Sequence, residues 1–218
     1  MALTVVTFST YLTSIRTGWR GVDYDAHDFI DAIKDRNING HSWLRVRGTM
    51  QRFDNTNRQD VVGWYAQIVA DYLEASGPNT PYVLVPFPSS KADLAFQGIN
   101  RTTTLANAIA AAYGHGVTVR DVLRFDEPMP SANEQGGTRE AEILYQHLRL
   151  TNNVRDQRIV IVDDVLTSGG HLRAGVAKLL IDGEASEVPM ALCAGRADQT
   201  QVTDPFAFRT EEIEEYLP

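Results

Sequence analysis

Two adjacent carboxylates, Asp163 and Asp164, follow four apolar residues, Ile159 to Val162, and precede the run Thr167-Ser168-Gly169-Gly170-His171. Such an apolar run, β-branched throughout and bounded by polar residues, reads as a strand buried on both faces. Open α/β sheets bind ligands at the carboxyl ends of their strands, where this acid pair falls. Paired carboxylates there suit a diol or a hard cation. A helix is expected from about Gly170 to Ile181, with Leu172, Val176, Leu179 and Leu180 on one stripe. Its first N–H groups would form an anion site. The stretch thus offers carboxylates for diol or metal contacts beside a cradle for one phosphate. A turn that merely capped the helix would need one Asp and not this whole arrangement.

The elements that must position these groups are legible to different degrees. Leu3 to Thr10 suggests a strand, and Ala26 to Arg36 a helix with Phe29, Ile30 and Ile33 on one face. Ser42 to Phe53 nearly alternates and reads as an edge strand whose outer face carries Arg45, Arg47 and Arg52. His27 and His41 lack partners at ligand spacing and read as surface or packing residues. Asp60 to Ser76 has a broad apolar helical face stopped by Gly77-Pro78. Tyr82 to Phe87 is a buried strand, Ser89-Ser90-Lys91 a turn, and Asn100 a cap for a helix Arg101 to Tyr113. Strand, polar turn and helix repeat the phosphate-facing arrangement. Val117 to Phe125 reads as a strand. Asp126 to Glu140, with Pro128, Pro130, Gly136 and Gly137, is long enough to be a lid. Thr138 to Leu150 reads as a helix containing His147, Val188 to Ala194 as a strand, and Thr210 to Leu217 as an acidic helix.

The chain has 218 residues, 43% hydrophobic and 22% charged, which suits a globular protein of one domain or one domain with an appendage. The expected division is a cap over residues 1–59 and a main domain over 60–218. No apolar run approaches the roughly 20 residues of a membrane span. The start, Met-Ala-Leu-Thr-Val-Val, lacks the pattern of a signal peptide. Cys193 is the sole cysteine, so no intrachain disulfide forms, and a cytoplasmic protein is expected. The net charge of −8 argues against broad nucleic-acid binding. It also implies that Mg²⁺ would help neutralise an anionic substrate. No Gly-x-x-x-x-Gly-Lys-Ser/Thr loop and no zinc ribbon occur.

Val162-Asp163-Asp164-Val165-Leu166-Thr167-Ser168-Gly169-Gly170 resembles the phosphoribosyl-pyrophosphate motif of type I phosphoribosyltransferases. His171 departs from it, standing where the family usually has Thr. Val85-Pro86-Phe87-Pro88 and Phe96-Gln97-Gly98-Ile99-Asn100-Arg101 are similar to elements of the competence-associated (ComF-type) branch, and the likeness spans roughly Tyr82 to Arg196. The resemblance implies an α/β fold, a mainly parallel sheet with helices on both faces. It implies an Mg²⁺-dependent transfer of ribose 5-phosphate from phosphoribosyl pyrophosphate (PRPP) to an acceptor such as a nucleobase.

Asp163 and Asp164 would then hold the ribose hydroxyls, directly or through the metal. Thr167, Ser168, Gly169, Gly170 and His171 would bind the 5′-phosphate. Ser89, Ser90 and Lys91 would take the pyrophosphate, Arg139 would clamp it, and Phe206 or Phe208 would stack on the base, although both rings also suit pinning the tail to the core. The 6-oxopurine enzymes of the family carry an acid at the position of Thr167, so guanine and hypoxanthine are disfavoured acceptors, and uracil, orotate, adenine or an unusual acceptor stay open. Family members are often homodimers. Some keep the fold as a PRPP sensor or bind nucleic acid or partners; His171 and the Arg45, Arg47 and Arg52 face speak for that alternative.

Overall fold

The computed structural model describes residues 2–14, 17–77, 80–130, 138–216 and 218. In chain order the elements are β1 (Ala2–Thr7), β2 (Thr10–Leu12), α1 (Gly21–Ile33), β3 (His41–Val46), β4 (Thr49–Asp54), α2 (Asp60–Ser76), β5 (Val83–Pro86) and α3 (Arg101–Tyr113). They continue with β6 (Thr118–Val119), β7 (Leu123–Phe125), α4 (Ala141–His147), β8 (Leu148–Leu150), β9 (Arg158–Leu166), α5 (Gly170–Ala177), β10 (Glu187–Asp198) and β11 (Arg209–Glu214). The central sheet has the order β11-β1-β10-β9-β5-β6, with β2 also paired to β10. All its pairings are parallel except β1 with β11.

Strand alternation divides the core between the two faces of this sheet. Val160 and Val162 of β9 pack with Ile30 and Ile33 of α1, Tyr65 and Val69 of α2, and Leu105 and Ile109 of α3. Ile159 and Ile161 pack on the other side with Leu144 of α4 and with Leu172 and Val176 of α5. The expected mainly parallel sheet with helices on both faces is therefore present. Residues 1–59 supply more than a cap, because β1 and β2 belong to the central sheet.

Several local expectations are corrected. The Ser42–Phe53 segment is a hairpin, β3–β4, and not one strand. Arg47 and Gly48 both have positive φ, 48° and 82°, which is the two-residue turn whose twist suits a hairpin. The tail after Phe208 is a strand and not a helix. It pairs along the free edge of β1, with alternate residues half-buried and exposed. The helix expected over Thr138–Leu150 covers only Ala141–His147 and then gives way to β8, which pairs with β7. Asp126 draws the chain back at that point, holding His147 Nδ1 at 3.0 Å. The strand expected over Val117–Phe125 is divided between two sheets. The helix after the glycine pair runs as α5 to Ala177 and then widens into a π-helical turn, Lys178–Asp182. His27 does have a partner one turn on: its Nδ1 lies 3.3 Å from Asp31.

Candidate active site

The acid pair lies near the carboxyl end of β9, the strand that joins the two halves of the sheet. Asp163 is 6% and Asp164 8% exposed, so both carboxylates need partners. Asp163 Oδ1 accepts the Asp164 N–H at 2.8 Å. Its Oδ2 lies 3.5 Å from His171 Nδ1. The His171 ring stacks on Phe87, centroids 4.7 Å apart and planes 13° apart. Asp164 Oδ2 accepts a charge-assisted hydrogen bond from Arg101, the first residue of α3.

Gly169 and Gly170 turn the chain from β9 into α5. Gly169 has φ 79°, a conformation that costs a side chain strain. At Gly170 a Cβ would lie 1.8 Å from the Arg139 carbonyl oxygen. Glycine at 170 thus lets the Arg139 backbone rest directly on the start of α5. Thr167 and Ser168 are exposed on this loop. Arg196 of β10 holds the loop from behind, donating to the Thr167 carbonyl at 2.7 Å while its Nε meets Glu211 of β11 at 2.7 Å.

The loop after β5 closes the other side. Asn100 stands at the N-cap position of α3, as expected, but its side chain makes no cap bond. Instead its Oδ1 accepts the Ser89 N–H at 3.3 Å, and its Nδ2 donates to the Phe87 carbonyl at 3.2 Å and to Thr102 Oγ1 at 2.8 Å. The N-cap residue of α3 is thus also the brace of the neighbouring loop. Ser89, Ser90 and Lys91 line a cleft of about 520 Å³ together with Asp163, Asp164, His171 and Arg101. A second cleft, of about 860 Å³, is lined by Thr167, Ser168 and Arg139. Lys34, Asp164 and His171 belong to both, so Asp164 sits where the clefts meet, with Asp163 beside it in the first. Of the expected lid, Pro130 and Thr138 line the first cleft. Gly136 and Gly137 lie outside the described residues.

Sequence reasoning missed the contribution of the first helix. Lys34, directly after α1, lines both clefts, and Arg36 and Arg101 line the first. Burial pushes the Lys34 ammonium below its ordinary pKa, against the opposing pull of Asp164. Burial likewise raises the Tyr11 phenol, and Asp164 adds to the rise. The signal was the string Lys34-Asp35-Arg36 after an amphipathic helix, which in isolation reads as charges complementing a helix dipole.

Phe206 and Phe208 are not at these clefts. Phe206 meets Phe29 edge-on at 5.9 Å, and Phe208 meets Phe8 at 5.0 Å. Both line a separate cavity beside the β3–β4 hairpin. Of the hairpin arginines, Arg47 is held by Asp71 and Arg52 by Asp54.

A family model described as phosphoribosyl transferase domain matches residues 101–216. No curated protein matches the chain. Among solved structures, an adenine phosphoribosyltransferase is 15% identical, with 80% of this chain and 90% of that one covered and a TM-score of 0.44. A hypoxanthine phosphoribosyltransferase from Staphylococcus aureus is 10% identical over 66% of this chain and 70% of that one, with a TM-score of 0.39. A Neisseria gonorrhoeae protein with bound ppGpp is 13% identical over 66% and 74%, with a TM-score of 0.40.

Proposed function

Because this chain belongs to the phosphoribosyl transferase domain family, we propose that it transfers ribose 5-phosphate between PRPP and a nucleobase acceptor, releasing pyrophosphate. The observation that carries this reading is the place of the acid pair. Asp164 stands where two clefts meet, one bounded by the Thr167–Ser168 loop and the other by Ser89, Ser90 and Lys91, and Asp163 adjoins it in the second. A ribose with a phosphate at one end and a pyrophosphate at the other needs hydroxyl acceptors at its middle and anion sites on both sides.

Asp163 and Asp164 accept the ribose 2′- and 3′-hydroxyls. Thr167, Ser168 and the N–H groups of Gly169, Gly170 and His171 take the 5′-phosphate at the start of α5. Lys91, Ser89 and Ser90 receive the pyrophosphate, and Arg139 closes on it from the lid side. Arg101 is released from Asp164 as the ribose arrives and turns to the same anion. The bond from the anomeric carbon to pyrophosphate oxygen breaks, its electron pair leaving with the pyrophosphate. A lone pair of the acceptor nitrogen forms the new bond. Positive charge develops on the sugar in between, so catalysis rests on orientation and on stabilising the leaving group.

The two carboxylates, hard oxygen donors at a solvent-reached cleft, fit Mg²⁺. Bound with PRPP, the ion would neutralise pyrophosphate charge. Thr167 offers no ionisable acid to the acceptor, which favours uracil, orotate or adenine over guanine and hypoxanthine.

A second reading, PRPP binding without transfer, is favoured by one observation: both acids already have partners within the chain, Arg101 on Asp164 and His171 near Asp163. Calorimetric titration with PRPP, with and without Mg²⁺, tests the site in the wild type and in an Asp163→Asn/Asp164→Asn variant. Binding by the wild type that the variant loses, with its melting temperature held, is the expected result. Pyrophosphate release on adding a base then separates enzyme from sensor. Absence of PRPP binding by the wild type would sink both readings.

A further inference from the structure

The cavity that takes up Phe206 and Phe208 has no part in the chemistry above. It encloses about 550 Å³ between α1, the β3–β4 hairpin, α2 and the tail segment 204–208, and it shares no lining residue with the two clefts. Helix α1 stands between them, turning Asp25 and Phe29 toward this cavity while Lys34, just past its end, reaches the clefts.

Its walls are aromatic. Phe8, Phe29 and Tyr65 are buried, whereas Trp43, Met50 and Phe208 at the lining are 39%, 46% and 50% exposed. The Tyr65 hydroxyl is buried without a hydrogen-bond partner. Large apolar side chains left in water around a concavity of this volume are the usual composition of a small-molecule pocket. The polar groups are few and differ in how far they are engaged. Arg47 is committed to Asp71, at 2.9 and 2.7 Å. Asp204 Oδ1 accepts the Phe206 N–H at 2.9 Å. Asp25 Oδ1 accepts the Trp43 N–H at 3.0 Å and keeps further acceptor capacity. The Arg45 side chain has no hydrogen bond or ion pair among the described residues.

These groups select the ligand. Flat walls suit a ring that stacks. Asp25 asks for an N–H on the ring edge, and Arg45 for a carbonyl or ring nitrogen. With Asp25 and Asp204 both at the lining, a strongly anionic ligand is disfavoured. We propose that this cavity is a second binding site, separate from the transfer site, for a neutral planar heteroaromatic ring with donor and acceptor edges: a free nucleobase or nucleoside.

The test is calorimetry of the full chain with adenosine, guanosine, cytidine and uridine, paired with tryptophan fluorescence in the wild type and in Trp43→Phe. At least one nucleoside is expected to bind and to quench fluorescence in the wild type but not in Trp43→Phe. Its affinity is expected to fall about tenfold in Phe208→Ala, where a half-exposed ring is lost, and to fall in Asp25→Asn. It is expected to hold in Asp163→Asn/Asp164→Asn and with saturating PRPP and Mg²⁺. Binding by none of the four, or binding unchanged in Phe208→Ala, overturns the proposal. Competition by PRPP, or loss with the acid pair, also overturns it, because the nucleoside would then occupy the transfer site. Whether the chain binds PRPP is decided separately, by the earlier titration without nucleoside.

Discussion

At Gly170 one missing methyl group decides how the Thr167–Gly170 loop meets the segment that carries Arg139. A Cβ there would collide with backbone, and backbone cannot swing away as the end of a side chain can. Gly170→Ala is therefore expected to push Arg139 off the loop, lowering PRPP affinity about tenfold or more and costing about 1–3 kcal/mol of stability. Titration and a thermal melt read the two effects separately. Unchanged PRPP affinity would mean that the Arg139 backbone has no part in shaping the site. His171 shows the same sensitivity. Where the family motif has a small hydroxyl residue, the imidazole lies flat on Phe87 and points toward Asp163. The substitution was visible in sequence. Its stacking partner, more than eighty positions earlier, was not.

Between elements, Arg196 ties three strands to one loop. From β10 it reaches the Thr167 carbonyl that follows β9 and Glu211 on β11. A guanidinium serves two acceptors in fixed directions, and an ammonium does not. Arg196→Lys is expected to keep the fold and weaken PRPP binding about three- to tenfold, the worth of about one ordinary hydrogen bond. Wild-type affinity in the variant would show that the loop holds its shape alone. None of this was readable beforehand, because the tail was expected to be a helix. Its Glu-rich composition favours helix locally, and the open edge of β1 overrides that preference by supplying a ladder of partners. The hairpin was missed for a related reason: Arg47-Gly48 is a less familiar turn pair than Asn-Gly, although both residues adopt the required positive φ.

Across the whole molecule, the start of α1 is fastened to the segment that follows β10. The Asp23 carboxylate accepts from the Arg20 backbone N–H and from the Arg20 guanidinium, and Gln201 donates to it at 3.1 Å. The Arg20 hydrogen bonds hold the Asp23 carboxyl below its ordinary pKa. A carboxylate favoured by the fold adds stability at pH values above the unfolded value, about 3.9. That contribution is lost as pH falls through the lowered folded value. Acid unfolding of Asp23→Asn is therefore expected to depend less on pH below about 4 than that of the wild type, with lower stability at neutral pH. Parallel acid titrations followed by circular dichroism check this, and identical pH profiles would refute it. No helix among the described residues is long and apolar enough to cross a membrane.

The sequence by itself determined what is contiguous: the buried strand, its acid pair, the glycine turn and the amphipathic helices, because each is specified by periodicity and local backbone chemistry within a short window. It also marked Ser89, Ser90, Lys91 and Arg139, which line the two clefts that meet at Asp164. Tertiary structure decided what arrives from far along the chain. Lys34 joins the site because α1 ends at the carboxyl edge of the sheet, and Arg101 because α3 begins beside Asp164. Phe206 and Phe208 fall in another cavity because the tail crosses to the α1 and α2 side before returning to pair with β1. Such placements depend on strand order and on which sheet edge is open, and no local window of residues encodes either.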